Sequence, residues 1–68
     1  MHIVVCAVTR NISICVKTLH TLLNINKICT HFNYSVEINF IKDDFNKSDA
    51  FLKHVKHCDR LIWIEYGY

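Results

Sequence analysis

Ile3-Val4-Val5-Cys6-Ala7-Val8 is the stretch that decides the fold. It is an unbroken apolar run with no polar position inside it, and three of its six residues are valine. A strand with one wet face alternates apolar and polar residues. A continuous run marks a strand buried on both faces, as in a parallel sheet. The polar triplet Thr9-Arg10-Asn11 ends it.

Beyond that strand the period changes. Ile12, Cys15, Val16, Leu19, Leu22 and Leu23 recur at spacings of three and four, which predicts a helix. Asn11 or Ser13 can cap its start. Ile25, Ile28, Cys29 and Phe32 continue the apolar face, and Asn33 is placed to stop it. Cys6 and Cys15 both read as small core residues. Val36, Ile38 and Phe40 then alternate with Glu37 and Asn39, the mark of a strand with one wetter face near a sheet edge. Lys42-Asp43-Asp44 closes it. Asn46 and Asp49 outline a weak capping box, and Phe51, Leu52 and Val55 give a short amphipathic helix ending near His57. Leu61-Ile62-Trp63-Ile64 is a second continuous apolar run, followed by Glu65-Tyr66-Gly67-Tyr68.

The predicted order is β-α-β-α-β. Strands alternating with helices imply parallel pairing through right-handed crossovers. The expected fold class is α/β: a Rossmann-like three-layer unit over residues 1–68, with a short parallel sheet in the order 2-1-3. Leu61–Ile64 is patterned for double burial yet falls at an open edge of such a sheet. The expectation is an incomplete unit, completed by self-association or by a missing C-terminal half. Trp63 on that outer strand needs cover and a partner for its indole N–H.

Composition narrows the function classes. The chain is 51% hydrophobic and 21% charged, which excludes a disordered tail. One Gly and no Pro exclude collagen-like and loop-rich disulfide scaffolds. No apolar run approaches the roughly 20 residues of a membrane span, and none suits a signal peptide. The four cysteines show no C-x-x-C spacing, so reduced thiols in an intracellular, cytoplasmic compartment are expected. A net charge of +2 falls short of a dedicated nucleic-acid domain. Lys53, His54, Lys56, His57 and Arg60 read as a solvated helix end rather than a phosphate track. At helical spacing His54, His57 and Cys58 would share a face and offer three zinc ligands, with no obvious fourth.

Chemistry is expected at the carboxyl ends of the strands, where open α/β sheets bind ligands. Three polar segments converge there: Thr9-Arg10-Asn11, Lys42-Asp43-Asp44 and Glu65-Tyr66-Gly67. Arg10 suits a phosphate or carboxylate, Asp43 and Asp44 suit a ribose or base, and Glu65 suits a divalent cation. No G-x-G-x-x-G or P-loop follows the first strand, so the common dinucleotide and NTPase readings lose their main support. Polar residues also end most strands simply because loops are solvated.

Read together, I-V-V-C-A-V-T-R-N, a long helix, V-E-I-N-F-I-K-D-D, a helix and C-D-R-L-I-W-I-E-Y-G resemble the N-terminal half of nucleotide-sugar glycosyltransferases of the GT-A fold, particularly divergent viral ones of large DNA viruses. The resemblance covers nearly all of the chain but only the first portion of such an enzyme. It implies a nucleotide-sugar contact at Thr9, Arg10 and Asn11, and a base or ribose contact at Asp43 or Asp44. It also implies a divalent metal, Mn or Mg, at the position of Glu65. There the family's D-x-D is replaced by Glu65 and, two positions on, Gly67. The acceptor-binding region and the catalytic base would lie downstream, so the implied portion is inactive alone. The alternative is a small interaction module that pairs with itself or a partner chain through exposed sheet edges.

Overall fold

A computed structural model describes residues 1–9, 15–42 and 47–65. The elements run β1 (His2–Thr9), α1 (Val16–His31), β2 (Ser35–Lys42), α2 (Lys47–Val55) and β3 (Arg60–Ile64). The three strands form one parallel sheet in the order β2-β1-β3. The α/β class, the parallel pairing and the central place of the first strand therefore stand as read from the sequence. Pairing with β2 is unbroken from His2↔Ser35 to Thr9↔Lys42, and pairing with β3 runs from Ile3↔Arg60 to Ala7↔Ile64.

β1 is the core. Every residue from Ile3 to Val8 is buried. Its side chains alternate between two clusters because successive residues point to opposite faces. Ile3, Val5 and Ala7 pack with Leu22 and Cys29 of α1 and with Ile64. Val4 and Cys6 pack with Ile41, and with Ala50 of α2, Cys58, Leu61 and Trp63. The two helices thus lie on opposite faces of the sheet.

The end of α1 is set by a single residue. Asn33 adopts the left-handed conformation, φ 59°, that short polar side chains tolerate. It lets the Tyr34 N–H reach the Cys29 carbonyl at 2.8 Å and the Asn33 N–H reach that of Thr30 at 3.2 Å. Together these two bonds form a complete Schellman motif. Asn33 acts as the stop that its place in the sequence indicated.

Three expectations are corrected. Cys15 is not in the core: it sits at the N-cap of α1 and is exposed, because the helix begins only at Val16. The buried face of α1 is Thr18, Leu22 and Cys29, with Ile25 half-buried, while Val16, Leu19, Leu23, Ile28 and Phe32 are exposed. Apolar residues cover more of the helix circumference than one sheet face can meet. On α2, Phe51, Leu52 and Val55 are exposed rather than buried, and the small Ala50 is the residue packed against the core. The two proposed caps Asn11 and Ser13, and Asn46 of the capping box, lie outside the described residues.

The amino edge of the sheet is stitched shut. The His2 N–H donates to Asp59 Oδ2 at 2.6 Å, and the Asp59 N–H donates to the His2 carbonyl at 2.9 Å. On the other side the Ser35 N–H donates to the Met1 carbonyl at 3.1 Å, and His2 Nδ1 lies 2.8 Å from Ser35 Oγ. These bonds fix both outer strands to β1 at the end away from the candidate site.

The two sides of α1 give a direct stability test. Leu22→Ala, in the core, is expected to cost about 2–5 kcal/mol. Ile28→Ala, on the exposed flank, should stay within about 0.5 kcal/mol. Urea denaturation of both variants beside the parent checks the assignment. Equal losses would place the buried face elsewhere.

Candidate ligand site at the carboxyl edge

A parallel β2-β1-β3 order has a built-in asymmetry. The chain leaves β1 towards β2 over one face, then crosses to β3 over the other. In open α/β sheets, ligands bind at the carboxyl ends of the strands, where successive crossovers turn to opposite sides of the first strand. Thr9 ends β1, and register places Lys42 beside it on β2. On the other side Ala7 pairs with Ile64, so Glu65 follows at the level of Val8. Both helices begin at this edge, so their positive dipole ends face the same region, with Asp49 in the first turn of α2 offsetting part of that field. Cys15 supplies α1 with no side-chain cap, and the first turn of α1 holds no acid.

Of the residues expected to bind, Thr9 and Glu65 are placed at this edge. Arg10, Asn11, Asp43 and Asp44 lie outside the described residues. Lys42 and Lys47 also stand here, at the end of β2 and the start of α2. Neither was singled out as a binding residue from the sequence. Their common location follows from topology, which sequence spacing does not display.

Glu65 is held by two partners. Its Oε2 pairs with Lys47 Nζ, and its Oε1 accepts the Trp63 indole N–H at 3.1 Å. The Lys47 hydrogen bond, then that of Trp63, pull the carboxyl below its ordinary pKa. Trp63 thereby finds its N–H partner, and Phe51 of α2 meets its ring edge-on at a centroid distance of 6.3 Å. Lys47, Ser48, Phe51, Leu52 and Trp63 line an open, mainly apolar groove of about 500 Å³ beside this pair. Each Glu65 oxygen accepts one hydrogen bond as placed, so a hard cation at this position, Mn or Mg, would share the carboxylate with Lys47 and Trp63 and draw its remaining oxygen ligands from elsewhere.

Two further groups can be placed. The hydroxyl of Thr18, in the first turn of α1, is fully buried and has no hydrogen-bond partner among the described residues. An orphaned buried hydroxyl costs about 1–3 kcal/mol, so its retention asks for a reason. Cys6, by contrast, is inert core: burial, then Cys58 and Glu37, pushes its thiol pKa up. The zinc reading of His54, His57 and Cys58 loses its premise, because α2 ends at Val55 and the last two do not share its face. Cys58 Sγ instead approaches the His54 carbonyl at 3.6 Å. Among the described residues no group of three metal-ligating side chains forms. No helix among them is long and apolar enough to cross a membrane.

Comparison with known proteins gives no match: no family profile, no curated protein and no solved structure aligns with this chain.

The Glu65 arrangement predicts a titration. A carboxyl with a lowered folded pKa contributes stability that is present above its unfolded pKa, about 4.3, and lost as pH falls through the lower folded value. Trp63 is the chain's one tryptophan, so its fluorescence reports this contact. An emission change with a midpoint below about 4.3 is expected. Glu65→Gln should abolish it. A midpoint in the ordinary carboxylate range would show that Lys47 does not hold Glu65.

Proposed function

We propose that the carboxyl edge binds a phosphate-bearing small molecule, and that the ligand is a nucleotide or nucleotide sugar. The observation that carries this reading is the strand order, which gathers Thr9, Lys42, Lys47 and both helix N-termini at one switch point. Helix N-termini with nearby lysines suit an anion. Lys47 and Glu65 neutralise one another, so Lys42, at the end of β2, supplies the positive charge on this edge. The orphaned Thr18 hydroxyl, at the start of α1, adds a polar group that a ligand or its water can satisfy. The resemblance to GT-A glycosyltransferases supplies the finer reading: a nucleotide-sugar-binding N-terminal portion, inactive by itself, with Arg10 and Asn11 on the phosphates and Asp43 or Asp44 on the ribose or base.

Titration with UDP and with GDP, each with and without MgCl2 or MnCl2 and followed by NMR, tests this. Shifts are expected at Thr9, Lys42 and Lys47, and Arg10→Ala should weaken binding roughly tenfold. Thr18→Val separates two roles for that hydroxyl. If it serves the ligand, affinity falls; if it is merely orphaned, the chain gains about 1 kcal/mol and affinity holds. No shift at millimolar nucleotide sinks the reading. Binding that needs no metal removes Mn and Mg from it.

A second reading has its own observation. Among the described residues both outer strands leave one backbone edge unpaired, and large apolar side chains on β2, α1 and α2 are exposed. These are the features of an interaction module that works by association through its sheet edges.

A further inference from the structure

β2 is the better of the two open edges for pairing. It is the longer strand, eight residues against five for β3. Its register with β1 is unbroken, so no bulge twists it away, and the chain contains no proline to block it. Of the devices that usually protect an edge, its middle carries one, the charged Glu37.

The surface beside that edge is apolar. Register with Ile3, Val5 and Ala7 places Val36, Ile38 and Phe40 on the α1 side of the sheet. Ile38 is 36% exposed and Phe40 58%. With a right-handed crossover, the flank of α1 turned towards β2 carries Leu19 and, further from the sheet, Leu23, which are 44% and 55% exposed. Sheet face and helix flank therefore present one apolar ledge beside this edge.

We infer that this ledge is covered by a second copy of the chain, through antiparallel pairing of β2 with β2 about a two-fold axis at Ile38. This rests on the association reading and gives it an occupant. A two-fold axis normal to the sheet pairs only residues of the same face. Centred on Ile38, it sets Ile38 opposite Ile38, and Val36 opposite Phe40 of the second copy. Glu37 then faces Asn39 of the second copy, a polar pair on the other face. Within one chain the Asn39 amide already donates to Glu37 Oε2 at 2.8 Å, so the two groups are matched in kind. Centring on Asn39 instead sets Val36 against Lys42 and Glu37 against Ile41. Centring on Glu37 brings two carboxylates face to face, which is unfavourable. One register therefore satisfies every position from 36 to 40.

At these exposures Leu19, Leu23, Ile38 and Phe40 present on the order of 400 Å² per copy, so their full burial in two copies removes at most roughly 800 Å² of mainly apolar surface. A specific interface needs about 1,000 Å² in total, and the paired strand backbones make up the remainder. The same two-fold puts both α1 helices on one side of a six-stranded sheet. A strand spacing near 4.8 Å sets them roughly 10–14 Å apart, a gap that facing leucines can fill.

The test uses the full chain. Sedimentation equilibrium at about 100 µM should give twice the 8.0 kDa chain mass. Ile38→Lys places two like charges across the axis and should weaken the dimer roughly a hundredfold. Glu37→Gln should leave it within about threefold. Because Ile38→Lys can also impair folding, interchain NOEs are read on the parent, mixing 13C-labelled and unlabelled chain. Contacts of Ile38 with Ile38 and of Val36 with Phe40 are expected. A monomer at this concentration overturns this inference and leaves the association reading only with a different partner chain. A dimer whose NOEs join other elements overturns this inference alone.

Discussion

The double burial of β1 is the constraint on which the rest depends. Val4, Val5, Cys6 and Ala7 have almost no contact with solvent, and hydrogen bonding to β2 and β3 occupies both of the strand's edges. Burying a valine-sized side chain is worth about 1.5–3 kcal/mol, so six consecutive buried residues concentrate much of the core in one strand. The small Cys6 and Ala7, on opposite faces, leave room for a helix on each side. The helices contribute less. α1 buries Thr18, Leu22 and Cys29, and α2 buries no residue completely.

That distribution leaves an apolar surplus. A chain of this size buries only about 60% of its unfolded surface, whatever its composition. Here 51% of the residues are hydrophobic. β1 absorbs the first share, and what remains is displayed on β2, on the flanks of α1 and along α2. The amino edge is closed by Asp59, His2, Ser35 and Met1, so the surplus faces sideways and the polar ends of the strands face the carboxyl edge. Two different surfaces thus follow from one packing problem.

Much of this was legible in the sequence, and the exceptions share a cause. Ile3–Val8 announced a central strand because local pattern and burial coincide there. Alternation in Val36–Phe40 announced an edge strand although Ile38 and Phe40 stay exposed, and Asn33 marked a stop by its own backbone preference. The misread positions needed tertiary knowledge. Cys15 fits the helical stripe, yet the stripe is wider than the contact, so periodicity cannot choose which part is buried. α2 turns Ala50 inwards because the sheet already supplies Leu61 and Trp63 beneath it. The Lys47–Glu65 pair joins residues far apart in sequence, brought together only by the second crossover. Nothing near Val55 announced that the helix would stop before His57 and Cys58.

The two surfaces meet at one residue. Antiparallel pairing of β2 would point the two carboxyl edges in opposite directions, at opposite ends of the six-stranded sheet. Ligand bound at one edge would then touch neither the axis at Ile38 nor the second copy's edge. A ligand that meets monomer and dimer alike shifts no equilibrium between them. Lys42 is the exception among the described residues, because it ends β2 beside Thr9 and falls opposite Tyr34 of the second copy in the Ile38 register. If both proposals hold, coupling between binding and association would run through it: a phosphate that drew the Lys42 ammonium towards Thr9 would take it away from the strand edge and leave the apolar pairs untouched.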